Sequence, residues 1–169
     1  MSQPEAWLRG PVPGVPAPLQ PVAHALIQAH EEAEEAVAAL DDGTLWRTPG
    51  GAASVGFHVR HMAGALDRLF TYARGEGLNE AQRAALKIEG TPGATGAEVL
   101  SELREAIDRA LAQLRVTEPA RLDDPRLVGR AQLPSTVRGL LHHGGEHALR
   151  HAGQAVTTAK ILRGLGGPT

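Results

Sequence analysis

Apolar residues recur at helical spacing in four long stretches of this chain, with polar residues on the opposite faces. Leu26, Ala29, Ala33, Val37 and Leu40 mark the first, over about residues 22–40. Glu31, Glu32, Glu34 and Glu35 fill its outer side, and Asp41-Asp42-Gly43 ends it before a loop over residues 43–52. Val55, Val59, Met62, Leu66, Leu69 and Phe70 mark the second, which Ser54 is placed to cap and which runs to about Arg74. Leu100, Leu103, Ile107, Ala110, Leu111 and Leu114 mark the third, over about residues 97–116. The fourth opens at Pro134 or Ser135 and continues to about Leu162, with Gly144 and Gly145 in its first half. A glycine costs a helix about 1 kcal/mol, so this pair predicts a close backbone approach. A short helix is expected over Glu80 to Lys87. Residues 119–134 read as an irregular connection with an extended piece around Leu127 to Leu133.

Four long helices with one longer crossover predict an all-α four-helix bundle over residues 22–164. Six prolines between Pro4 and Pro21 make residues 1–21 an irregular Pro-rich arm, with Trp7 and Leu8 expected to pin it to the body or to a partner chain. Residues 165–169 are expected to form a flexible tail.

Composition narrows the possibilities. Only 3% of residues are aromatic while 42% are hydrophobic, so the core is built from Leu, Ala and Val, which suits closely packed helices. There is no Cys, which excludes a thiolate metal site, a Cys nucleophile and disulfides. A net charge of −2 gives no footprint for nucleic acid. No apolar run reaches membrane-spanning length, and no signal-peptide pattern opens the chain, so a cytoplasmic location is expected.

The chemistry lies in the histidines. Six of the eight fall in two short segments, Phe57-His58-Val-Arg60-His61-Met62 and His142-His143-Gly-Gly-Glu146-His147-Ala-Leu-Arg150-His151. His147 and His151, four apart, share one helix face, where both imidazoles can reach one ion. A solvated face would carry more charge than Ala148, Ala152, Gly153 and Ala155 supply. From the second helix His61 is the favoured third ligand, with small residues beside it, and His58 then supports a ligand or lines the pocket. His143 is the rival of His151, since about 12 Å of helix axis separates the two and one ion cannot take both. Glu146 is a candidate to orient a histidine or to serve as general base, and Gln154 to bond a ligand or substrate. Three imidazoles leave positions open for a substrate or water. The His-Glu-x-x-His of zincin proteases and the Glu-x-x-His of di-iron bundles are both missing.

With these motifs and the four-helix layout, the chain resembles the DinB-like superfamily, which includes YfiT-type metal-dependent hydrolases and thiol-dependent S-transferases. The resemblance rests on Ser54-Val-Gly-Phe57-His58-Val-Arg60-His61-Met62-Ala-Gly64 and on Glu146-His147-Ala-Leu-Arg150-His151-Ala-Gly153-Gln154. It implies an up-down-down-up bundle, commonly a homodimer, and one divalent ion (zinc, nickel, iron or manganese) on three histidines, which fall on His61, His147 and His151. It also implies a small-molecule substrate. The first expectation is transfer of a low-molecular-weight thiol, of the bacillithiol or mycothiol kind, to an electrophile, with Arg60 or Arg150 holding a carboxylate of the thiol. The second is a hydrolase using metal-activated water, with Glu146 or His58 as base. The third is a non-catalytic, stress-related module that binds a metal or ligand.

Overall fold

Short polar side chains open most of the helices. In the computed structural model, which describes residues 3–165, Ser54 accepts a hydrogen bond from the Phe57 backbone N–H and starts α3 (Val55–Ala73). Thr95 and Glu98 form a reciprocal capping box at α5 (Gly96–Val116). Thr136 Oγ1 accepts from Gly139 N at the head of α6 (Val137–Leu165). In α1 (Gln20–Ala38), Pro21 occupies the first turn, where its missing N–H is harmless. Two smaller helices intervene, α2 (Asp42–Leu45) and α4 (Glu80–Ile88).

The long helices α1, α3, α5 and α6 surround one core. Leu26, Val59, Met62, Leu103, Leu114 and Leu141 are fully buried there, each contributing about 1.5–3 kcal/mol by leaving water. Cross-contacts fix the directions. His58 lies beside His151 and Phe70 beside Gly144, so α3 and α6 are antiparallel. Arg60 meets Glu102 and the Phe70 carbonyl meets Gln113, so α3 and α5 are parallel. Arg104 meets Glu34, with Gly96 against Val37, so α1 and α5 are antiparallel. It follows that α1 is antiparallel to α3 and parallel to α6, on whose Gly145 its Val22 and Ala25 rest. The topology is therefore up-down-down-up. The predicted close approach at the glycine pair is present: a Cβ on Gly144 would stand 2.9 Å from the Phe70 ring.

Parallel α3 and α5 require a connection that travels back along the bundle, and α4 rides on it. An Asn79–Gln82 capping box starts α4, and the Gln82 amide donates to Asp67 Oδ2 and Thr71 Oγ1 of α3. No residue of α4 is buried. Polar bonds therefore dock it.

Several expectations need correction. Asp41 does more than end α1: its carboxylate accepts from Thr44 N and caps α2 inside the expected loop. Around Leu127 to Leu133 the chain forms a hairpin of β1 (Pro125–Val128) and β2 (Leu133–Thr136), turning at Gly129 with φ 68°. The arm contains two 3-10 turns, Ala6–Arg9 and Ala17–Leu19, and α1 begins at Gln20. Trp7 and Leu8 do not pin the arm to the body; they are 62% and 58% exposed. Ala6, Val15 and Leu19 are buried instead, Arg9 grips Glu31 through both carboxylate oxygens, and the Gln20 amide holds Val12 and Val15. Residues 1–2 of the arm and 166–169 of the expected tail lie outside the described residues. No helix among the described residues is long and apolar enough to cross a membrane.

Candidate metal centre

The antiparallel register of α3 and α6 builds the site. His58 and His61, three apart on α3, face His151 and His147, four apart on α6. One ring nitrogen from each of His61, His147 and His151 lies within 4.8 Å of the other two. The rings sit 4.5–5.1 Å apart, centroid to centroid. Phe57, one turn before His61, stacks on it at 5.2 Å and walls the site. All three histidines are half-buried.

Hydrogen bonding sorts the nitrogens. His61 Nδ1 lies 2.7 Å from Glu89 Oε2, and His151 Nδ1 lies 2.9 Å from His58 Nδ1. This leaves Nε2 on both rings. His61 Nε2 faces His147 Nε2 at 3.0 Å. Two neutral lone pairs cannot share that distance without a proton or a cation between them. The donor set is uniformly imidazole, which suits zinc, nickel, iron or manganese. The residues thus fit a divalent ion.

Burial, followed by the charge of His61, lowers the His147 pKa to about 4 and that of His151 to about 3. His58 is lowered by the same causes in the same order. These rings are neutral at neutral pH, the form that binds metal.

The other sequence candidates sit elsewhere. His143 is exposed, with Nδ1 3.1 Å from Glu146, and is not part of the cluster. Glu146 is itself exposed, bound to His143 and Arg150. The carboxylate that contacts a clustered histidine is Glu89, not Glu146. Arg150 is exposed and spent on Glu146; Gln154 is exposed. Arg60 holds Glu102 and the Thr91 carbonyl, lies 5.6 Å over the Trp46 ring, and lines a cleft of about 260 Å³ between α3, α4 and α5. His24 binds the Gly10 carbonyl, and His30 lies beside Glu34. Glu89 was missed because it follows a short exposed helix. The available signal was Gly64, a glycine inside α3 between His61 and Arg68.

The sequence model of the DinB superfamily matches residues 25–155, and the chain belongs to that superfamily. Two solved structures share the fold. A conserved protein from Enterococcus faecalis superposes with a TM-score of 0.72 at 18% identity, over 86% of this chain and 96% of its own. YfiT from Bacillus subtilis, described as a probable metal-dependent hydrolase with an unusual four-helix bundle topology, superposes with a TM-score of 0.60 at 19% identity, over 94% of each chain. No curated protein matches the sequence.

Proposed function

We propose that this chain is a divalent-metal-dependent enzyme, its ion held by Nε2 of His61, His147 and His151, that transfers a low-molecular-weight thiol to an electrophilic small molecule. The convergence of three imidazoles within 4.8 Å supports the metal site, and thiol transfer is drawn from the family resemblance and the surrounding side chains. When bound, the ion supplies a Lewis acid that lowers the pKa of a thiol or water at its open positions.

The surrounding side chains favour a thiol over water. Glu89 is closed off by His61 and Arg68, and Glu146 by His143 and Arg150. His58 presents its Nδ1 to His151. No carboxylate in these contacts is left free to act as a general base. A thiol, with a pKa of about 8.5, sheds its proton far more readily than water at about 15.7. Phe57 offers an apolar wall for the electrophile. A homodimer, implied by family resemblance, completes the proposal.

A hydrolase is the second possibility, supported by the likeness to YfiT, a fold-level analogy. Elemental mass spectrometry of wild type, His61→Ala and His151→Ala tests the common core. Near-stoichiometric metal is expected in wild type and in neither variant. A wild type that takes up none of zinc, nickel, iron or manganese would sink both proposals. Thiol consumption with a reactive electrophile, abolished by chelation, selects transfer; turnover without added thiol selects hydrolysis.

A further inference from the structure

Glu89 is a carboxylate that the bundle has no packing reason to bury. None of the nine residues of α4 is buried, yet Glu89, which follows the helix, is 4% exposed. A buried charge is costly unless each oxygen finds a partner. Here both do: Oε2 lies 2.7 Å from His61 Nδ1, and Oε1 accepts from Arg68 Nη1. Space for the carboxylate is cut into α3 itself. A Cβ on Gly64 would overlap Oε1 and stand 2.8 Å from Arg68 Nη1, so only glycine lets Glu89 lie as it does against the helix between His61 and Arg68.

We propose that Glu89 is a positioning residue of the metal site: carried back along the bundle by the α3–α5 crossover, it accepts the Nδ1–H of His61 and aims the Nε2 lone pair at His147 and the ion. The inference rests on the three-histidine metal site proposed above and names what holds one ligand in its binding form. A carboxylate only accepts hydrogen bonds, so His61 Nδ1 carries the proton. A neutral imidazole has one N–H, which leaves Nε2 as the acceptor, and Nε2 is the atom 3.0 Å from His147. The hydrogen bond also fixes ring rotation and raises ligand basicity, and loss of such partners lowers metal affinity about 10–100-fold. On its other side the carboxylate accepts from Arg68, which supplies the opposite charge.

The test compares wild type, Glu89→Gln and Gly64→Ala. The Ala variant displaces the carboxylate without changing any charge. Zinc affinity is measured by competition with a chromophoric chelator, helicity and melting by circular dichroism in chelator, and the His61 tautomer by long-range ¹H–¹⁵N correlation on the metal-free wild type. Both variants are expected to stay helical and bind zinc about 10–100-fold more weakly, with the wild-type His61 protonated on Nδ1. Wild-type zinc affinity in the folded variants, or a wild-type His61 protonated on Nε2 alone, overturns the role of Glu89 and leaves the metal site standing. A merely structural Glu89 would lower the melting temperature and leave zinc affinity unchanged. If Glu89→Gln fails to fold, the wild-type tautomer decides. No zinc uptake by wild type overturns this inference together with the proposed function.

Discussion

His58 and His151 meet Nδ1 to Nδ1 at 2.9 Å, in a pair where one ring must donate and the other accept. His151 can offer Nε2 to an ion only as the donor, so His58 must accept. His58→Phe keeps a ring of similar bulk and removes that acceptor. Zinc affinity should drop about 10-fold, within the range for loss of a ligand's hydrogen-bond partner, and less than in His151→Ala. Competition titration measures both. Equal affinity in His58→Phe and wild type would show that His151 needs no acceptor.

Gly144 faces Phe70 where α6 crosses α3. Gly144→Ala gains about 1 kcal/mol of helix propensity. It also drives a methyl to 2.9 Å from a ring that is 3% exposed and has little freedom to yield. Overpacking of this kind costs about 1–3 kcal/mol. A net loss of about 1 kcal/mol is expected in urea denaturation. A gain in stability would mean that the two helices separate readily.

Acid should destabilise the metal-free protein before the carboxylates titrate. His147 and His151, at about 4 and about 3 when folded, return to 6.5 when unfolded. Below 6.5 the unfolded chain therefore binds more protons, and stability falls as pH falls. The contribution is fully present above 6.5 and is lost as pH drops through the folded values. Glu89, also lowered, adds to the loss further into the acid range. Melting temperature in chelator should decline between pH 7.5 and pH 5, and less steeply in His151→Phe. A flat profile would show that the histidines are not held neutral.

Trp7→Ser should change stability by no more than about 0.5 kcal/mol, the usual range for surface positions. The indole is 62% exposed, and among the described residues its N–H donates to Glu5, two residues away. Ala6→Asp, by contrast, places a charge at a site 3% exposed and should loosen the arm, read as faster proteolysis near residue 10.

The helices and the His147–His151 pair were legible because both depend on local spacing, whereas His61 joins them across 86 residues and was placed by its small neighbours and the family resemblance. A period near four placed Val59, Met62 and Leu66 on one face, and the same period paired His147 with His151. Glu89 was not legible, since its partner is 28 residues away and its own helix has an exposed pattern. The hairpin escaped for a different reason. Its four-residue strands bury no side chain fully and leave Leu127 and Leu133 exposed, so the apolar pattern does not mark a pair of strands. Asp41 misled because a short acidic residue suits a helix start as well as a stop. Size suggested Trp7 as the arm's anchor on the body, whereas buried Ala6, Val15 and Leu19, two glutamines and the Arg9–Glu31 pair hold it there.

The antiparallel seam between α3 and α6 also governs when the site can exist. His61 and His147 are 86 residues apart in sequence, and neither α1 nor α5 supplies a substitute for either ring. A collapsed intermediate of α1, α3 and α5 would hold His61 and Glu89 but lack the opposing wall. Any ligand that bridges the seam binds only the completed bundle and withdraws population from such intermediates by mass action. A ligand held there would act as a clasp on the docking of α6, and resistance to unfolding should then track its concentration most strongly in that helix.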